Sequence, residues 1–195
     1  RLKATTEQQD RLEETISEYR RGCQIATDLG WTDYTDKSAL QSLAYDDIRE
    51  QTELQSQHAI LASHAAAEAM SGCERRLERG RPVSKPRFTS PTVQYDSRTM
   101  TLFEEGAVSL ATTKSRVRCS LVLPEDDDGY QWQYLEDDAW KITESSLTAR
   151  DGDYYLHLGF RRHMTSPEHE TAEDGTVLGV DLGVENIAVT STAQF

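Results

Sequence analysis

Near its end the chain carries Gly179-Val180-Asp181-Leu182-Gly183-Val184-Glu185-Asn186. Val177-Leu178-Gly179-Val180 reads as a buried-type strand running into Asp181, Gly183 as the turn, and Ile187-Ala188-Val189-Thr190 as a second strand. Such an arrangement holds one bare carboxylate over a cleft with no bulky neighbour beside it. A carboxylate on a rigid strand end is a good ligand for a hard cation such as Mg²⁺. Two such ions can activate a water and stabilise the leaving oxygen of a phosphodiester. The same pattern also describes a strand-end Asp that accepts hydrogen bonds within a turn.

A second concentration of chemistry lies in the middle of the chain. Residues 75–87 hold Arg75, Arg76, Arg79, Arg81, Lys85 and Arg87 against one acid, Glu78, so this window carries +5 and the remainder of the chain −18. The planar guanidinium fork matches phosphate, which makes the cluster a candidate nucleic-acid contact. Cations also suit the C-terminal dipole of a helix, which accounts for Arg75 to Arg79 better than for Arg81 to Arg87. Lys114-Arg116-Arg118 and Arg161-Arg162 form smaller sets on predicted strands, either lining the same groove or lying on exposed strand faces.

The other candidates are weaker. Cys23, Cys73 and Cys119 are far apart, form no CxxC, and are odd in number, so they read as free thiols of a reducing cytosol. His58 and His64 are six apart, roughly 240° around a helix, and face different ways. Glu125-Asp126-Asp127-Asp128-Gly129 looks like a calcium loop, but Pro124 breaks the ligand ladder and Leu135 stands where the closing Glu belongs; it reads as a hydrated turn. Tyr130, Trp132, Tyr134 and Trp140 could stack on bases, though their alternation favours one face packing into a β core.

The whole chain has 195 residues, 21 basic and 34 acidic, for a net charge of −13. Among the 21 cations only five are Lys, and the acids are spread along the sequence. That composition suits a protein that stays hydrated in concentrated salt. At about 1 M salt the Debye length is about 3 Å, so a negative total does not exclude a polyanionic partner. No window approaches 18 uninterrupted apolar residues, and no apolar stretch opens the chain, which argues against a membrane span and a signal peptide and for the cytoplasm.

The elements that must position these residues can be read next. Leu12, Ile16, Tyr19, Cys23 and Ala26 recur at spacings of 4, 3, 4 and 3, which predicts a helix over 5–30, opened by a Thr6–Gln9 capping box and stopped at Gly30. A short helix follows from Ser38. A longer one is expected over 46–79, with Leu54, His58, Leu61, Ala65, Ala69, Cys73 and Leu77 inward, ended by Gly80 and Pro82. Beyond Pro86 come short β-type segments: 92–95, 99–103, 107–110, 116–123, 141–149 and 154–161. Asp151-Gly152 marks a hairpin. These predict a small antiparallel barrel or sandwich. The reading is α+β: a helical lobe over 1–83, whose first residues can pair with the barrel, a barrel over 84–163, a polar linker over 164–176, and a further unit over 177–195.

Asp-Leu-Gly also opens the phosphate-binding hairpin of the actin-like ATPases. There Thr or Ser follows, whereas here Val184-Glu185-Asn186 removes the hydroxyls and adds a repelling carboxylate. A different family is closer. Val177–Thr190 resembles the first RuvC motif of the TnpB family, the RNA-guided nucleases of small insertion sequences long described as transposases. Arg20-Arg21-Gly22-Cys23, Ser56-Gln57-His58 and Lys85-Pro86-Arg87-Phe88 are similar to members from salt-loving archaea. The resemblance implies a helical recognition lobe, a wedge-like barrel, and the first two strands of an RNase H-like domain. It implies guide RNA and target DNA as partners, and Asp181 as a ligand of catalytic Mg²⁺. It also implies that the remaining catalytic acids and a zinc ribbon lie downstream, so the chain is expected to be an N-terminal fragment. A binding module without catalysis is the alternative.

Overall fold

The computed structural model describes residues 1–33, 36–103, 105–123, 131–135, 137–163, 177–181 and 189–193. Two compact units are present, Arg1–Arg162 and His163–Phe195. The architecture is α+β, with four helices and several antiparallel sheets among the described residues. The linker expected over 164–176, the hydrated turn expected at 125–129, the turn expected at Gly183 and the first two residues of the strand expected from Ile187 lie outside the described residues.

The first unit opens with β1 (Leu2–Lys3) and α1 (Thr6–Gly30). The capping box sits one residue earlier than the sequence suggests. Thr5 has extended backbone, its hydroxyl accepts from the Gln8 amide, and the Gln8 side chain accepts from the Thr5 amide. The predicted stripe of α1 is buried in full: Leu12, Ile16, Tyr19, Cys23 and Ala26. Gly30 is the last helical residue, and the left-handed turn falls two residues later, on Thr32 (φ 77°).

The next two helices divide differently from expectation. α2 spans Lys37–Gln51 and α3 spans Ser56–Glu78, with Asp36 capping the first of them through the Ala39 amide. Thr52 to Gln55 separates them. There the Thr52 hydroxyl accepts from the Leu54 amide, and the Glu18 carboxylate of α1 accepts from the Glu53 amide at 2.8 Å. The buried stripe of α3 is also rotated. His58, Ala59, Leu61, Ala62, Ser63, Ala66, Ala67 and Met70 face inward, whereas Ala65 and Ala69 are half-buried and Leu77 is 60% exposed. The small Ala-rich face lets α3 lie close to both α1 and α2. Gly22 permits the same approach from the other side, because a Cβ there would stand 2.9 Å from Leu54 Cδ1 and 3.3 Å from Ala62 Cβ.

The β part contains β2 (Thr92–Tyr95), β3 (Met100–Phe103), β4 (Ala107–Leu110), β5 (Val117–Leu121), α4 (Trp132–Leu135), β6 (Trp140–Ile142), β7 (Ser145–Arg150), β8 (Asp153–His157) and β9 (Phe160–Arg162). Strand order is β1-β5-β4-β3 in one antiparallel sheet, β2-β7-β8 in a second and β6-β9 in a third. No ladder joins them into a closed barrel among the described residues, which corrects that expectation. The reason is local. The two long strands foreseen on either side of Asp151-Gly152 each break, at 143–144 and at 158–159. The break is held by the Thr143 amide donating to the Gly159 carbonyl at 2.8 Å. Gly159 is required there, since a Cβ would stand 2.5 Å from the Glu144 carbonyl oxygen. The hairpin itself is as predicted, with Asp151 (φ 53°) and Gly152 (φ 81°) both left-handed.

The helices and sheets of this unit share one core. Tyr19, Ile48, Leu54 and Met70 from the helical side join Val93, Tyr95, Leu110, Val117 and Leu147 from the strands in a single buried cluster. β1 reinforces the junction, because Leu2 pairs with Leu121 and Lys3 with Ser120. Among the described residues no helix is long and apolar enough to cross a membrane.

In the second unit β10 (Val177–Asp181) pairs antiparallel with β11 (Val189–Ala193).

Candidate nucleic-acid interface

The cationic window begins on the last turn of α3. Arg75 and Arg76 lie in that turn, where they also suit the helix dipole. Gly80 (φ 68°) then closes the helix, with its amide donating to the Leu77 carbonyl at 2.8 Å and the Arg81 amide to the Arg76 carbonyl at 3.0 Å. Residues 81–91 run on without regular structure into β2.

This strap is fastened to α1 by residues one turn apart. Arg20 Nε donates to the Phe88 carbonyl at 3.1 Å, Gln24 Oε1 accepts from the Phe88 amide at 3.4 Å, and Asp28 pairs with Lys85 Nζ at 2.8 Å. The spacing of Arg20, Gln24 and Asp28 places them on one helical face. Half-buried Phe88 anchors the strap on the core. The Lys85 ammonium, donating to Asp28, holds that carboxyl below its ordinary range. Between α1, α3 and the strap lies a surface pocket of about 1050 Å³, walled by Gln24 and Asp28, by Ala69, Cys73 and Arg76, and by residues 84–89.

All six cations of the window are exposed. Lys85 is neutralised by Asp28. Arg75, Arg76, Arg79, Arg81 and Arg87 form no ion pair among the described residues. The fold thus brings the window to one edge of the first unit and leaves five guanidinium groups available there. A polyanion with regularly spaced phosphates is the ligand such an edge can hold.

The smaller sets fare differently. Arg116 is consumed by the sheet: it donates to the Ser109 hydroxyl at 2.9 Å, the Ser109 carbonyl at 2.8 Å, the Thr101 hydroxyl at 3.2 Å and the Arg98 carbonyl at 3.2 Å. Arg118 pairs with Glu105 and lies 4.2 Å above the Phe103 ring. Arg162 stands 3.9 Å from Asp137 and 5.8 Å from the Trp140 ring centroid. Arg161 is exposed opposite Lys141 on the β6–β9 ribbon.

Asp181 ends β10, with Val189 as its partner in register. Within these two strands it is the one carboxylate. Among the described residues no three His, Cys, Asp or Glu side chains gather where they could hold a metal ion. Mg²⁺ requires near-octahedral oxygen coordination, and in phosphoryl-transfer sites more than one protein or substrate oxygen supplies it. The described residues therefore do not make up a Mg²⁺ site, and no hydrolytic step is derived through one.

The clamp residues Arg20, Gln24 and Asp28 escape sequence reading, although their i, i+4, i+8 spacing on the polar side of α1 was a usable signal. The cysteines are free. Cys23 and Cys119 are buried, and burial pushes both thiols up, away from the reactive thiolate. No known protein-family model matches the chain, and no curated protein matches it in sequence.

Proposed function

We propose that this chain binds nucleic acid as part of an RNA-guided DNA endonuclease of the TnpB type, with guide RNA and target DNA as its partners. The observation that carries the binding is the cationic edge: five exposed arginines without acidic partners, held by a fastened strap, in a chain whose net charge is −13. Arginine forks at the edge would track backbone phosphates, leaving sequence recognition to guide pairing. The assignment to the TnpB type rests on the resemblance of Val177–Thr190 to the first RuvC motif, with Asp181 at the end of β10 as the residue that would ligate Mg²⁺ in the complete site. In this reading the helical bundle is the recognition lobe and the sheets are the wedge.

The test is the salt dependence of binding to a labelled, structured RNA. Each arginine that neutralises a phosphate contributes about 1 to the slope of log K against log salt. Replacing Arg81 and Arg87 by Ser should weaken binding and flatten the slope by roughly 2. Unchanged affinity and slope would remove the edge from the interface.

The lone carboxylate of β10 and β11 favours a second reading, a binding module without catalysis. There the same RNA is bound, and adding Mg²⁺ produces no cleavage of any strand.

A further inference from the structure

The pocket between α1, α3 and the strap is built from the cationic window itself. Three of the window's cations line it, Arg76, Lys85 and Arg87, against one acid, Asp28. Lys85 and Asp28 neutralise each other at 2.8 Å. Arg76 and Arg87 form no ion pair, and their guanidinium groups donate to no other group among the described residues. Two unengaged forks therefore stand at the wall of a cavity, in a chain whose net charge is −13. A fork in that state is a seat for phosphate.

Between these charges the lining is apolar. Ala69 supplies it from α3, and Pro86 and half-buried Phe88 from the strap. The Cys73 thiol donates to the Ser84 carbonyl at 3.8 Å, which joins α3 to the strap. An occupant must offer both an anion and an apolar face. Free phosphate would use the arginines and leave the apolar surface in water. An apolar peptide or a lipid chain would cover that surface and leave the arginines unused. A nucleotide meets both demands, and about 1050 Å³ lies at the upper end of the range for single-ligand pockets. An acidic peptide carrying an apolar side chain would also meet them, and position decides between the two. Arg76 and Arg87 belong to the pocket and to the arginine edge at once, with Arg79 and Arg81 between them in the chain. A strand whose phosphates follow the edge thus shares its arginines with the pocket. A paired base is held inside its duplex, whereas an unpaired one leaves the stack at little cost.

We infer that this pocket receives one unpaired nucleotide of the bound strand, with its phosphate at Arg76 and Arg87 and its base against Ala69, Pro86 and Phe88. The inference rests on the nucleic-acid-binding reading and adds to it a preference for strands that carry an unpaired nucleotide. The arginine edge alone, which tracks phosphates, has no such preference.

The pocket carries its own reporter. Cys73 lines it and is half-buried, while Cys23 and Cys119 are buried, so alkylation of Cys73 by iodoacetamide reads occupancy in the whole wild-type chain. The probes are a fully paired RNA stem-loop and the same stem-loop with one bulged adenosine, compared at one salt concentration by anisotropy and by alkylation rate. The bulged stem should bind roughly ten-fold tighter than the paired one. At saturation it should slow Cys73 alkylation several-fold more than the paired stem does. Ala69→Leu, which fills the apolar floor, should erase the preference for the bulge. Equal affinities for the two stems, or equal protection of Cys73 by both at saturation, overturns the inference and leaves the arginine edge standing. Protection of Cys73 by hexaglutamate as strong as that by the bulged stem also overturns it, and marks a peptide-docking site. Failure of the wild-type chain to bind either stem removes the edge reading as well.

Discussion

His58 gives the chain a built-in acid sensitivity whose size can be worked out. Its side chain is fully buried, and neither ring nitrogen has a hydrogen-bond partner. The ring lies edge-on between Tyr19 of α1 and Tyr95 of β2, at centroid distances of 6.4 Å and 5.2 Å. Burial is the main influence on it; the carboxylate of Asp96 and the guanidinium of Arg116 act more weakly and in opposite directions, and the ring pKa falls to about 4. The neutral ring is therefore the native form. In the unfolded chain the ring titrates near 6.5, so the unfolded state takes up the proton first. The contribution to stability is complete above pH 6.5, falls as pH drops through that value, and levels off below about 4. The full loss is about 3 kcal/mol, of which about 2 kcal/mol is gone by pH 5. His58→Leu keeps the volume, removes two unpartnered polar atoms and abolishes the titration. Urea unfolding of both chains at fixed salt, from pH 7.5 to 4.5, isolates the effect, because Asp28, Asp96 and His64 titrate alike in each. The variant should equal or exceed wild type at pH 7.5 and gain on it by about 2 kcal/mol at pH 5. A pH-independent difference between the two would show that His58 is not held neutral at the junction of helices and sheets.

Two substitutions separate structural roles from binding roles. Gly159→Ala places a methyl group against the Glu144 backbone carbonyl, 2.5 Å from its oxygen, and should cost about 1–3 kcal/mol in chemical denaturation; a neutral result would mean that the paired strand breaks can relax. Arg116→Ala removes four hydrogen bonds within the β3–β4–β5 face and should lower the melting temperature while leaving the salt slope of RNA binding as in wild type. A flattened slope would return Arg116 to the interface.

The parts of the fold visible in the sequence are those that local chemistry decides. The α1 stripe follows from periodicity alone, and the left-handed Asp151-Gly152 turn from the residues' own conformational preference. The errors fall where distant side chains intervene. The sequence predicts a continuous helix from 46 to 79, yet α2 ends at Gln51 and α3 begins at Ser56, and the Glu53 amide freed between them is taken up by Glu18, thirty-five residues away. The inward face of α3 is set by two helical partners rather than one, which turns Leu77 outward and Ala62 and Ala66 inward. The barrel expectation fails at 143–144 and 158–159, and Gly159 was its one sequence-level sign. The cationic window is legible as a local density of charge. Which arginines remain available is not, since the atoms that occupy Arg116 come from three separate strands or turns.

The division of labour between lysine and arginine ties composition to the proposed interface. Of five lysines, Lys37, Lys85 and Lys114 are each bound to a carboxylate of another element. The five unpaired cations between residues 75 and 87 are all arginine. An ammonium is a compact, strongly hydrated point charge, and its attraction to phosphate fades as salt shortens the Debye length. A guanidinium keeps its two-pronged hydrogen bonds at contact distance, where screening matters least. In concentrated salt the −18 carried by the rest of the chain would no longer repel a polyanion a Debye length away, while the arginine forks of the proposed interface would still hold it at contact. On the proposed reading the acidic surface and the cationic edge are compatible because they act over different distances: one would keep the protein hydrated, and the other would bind only what touches it.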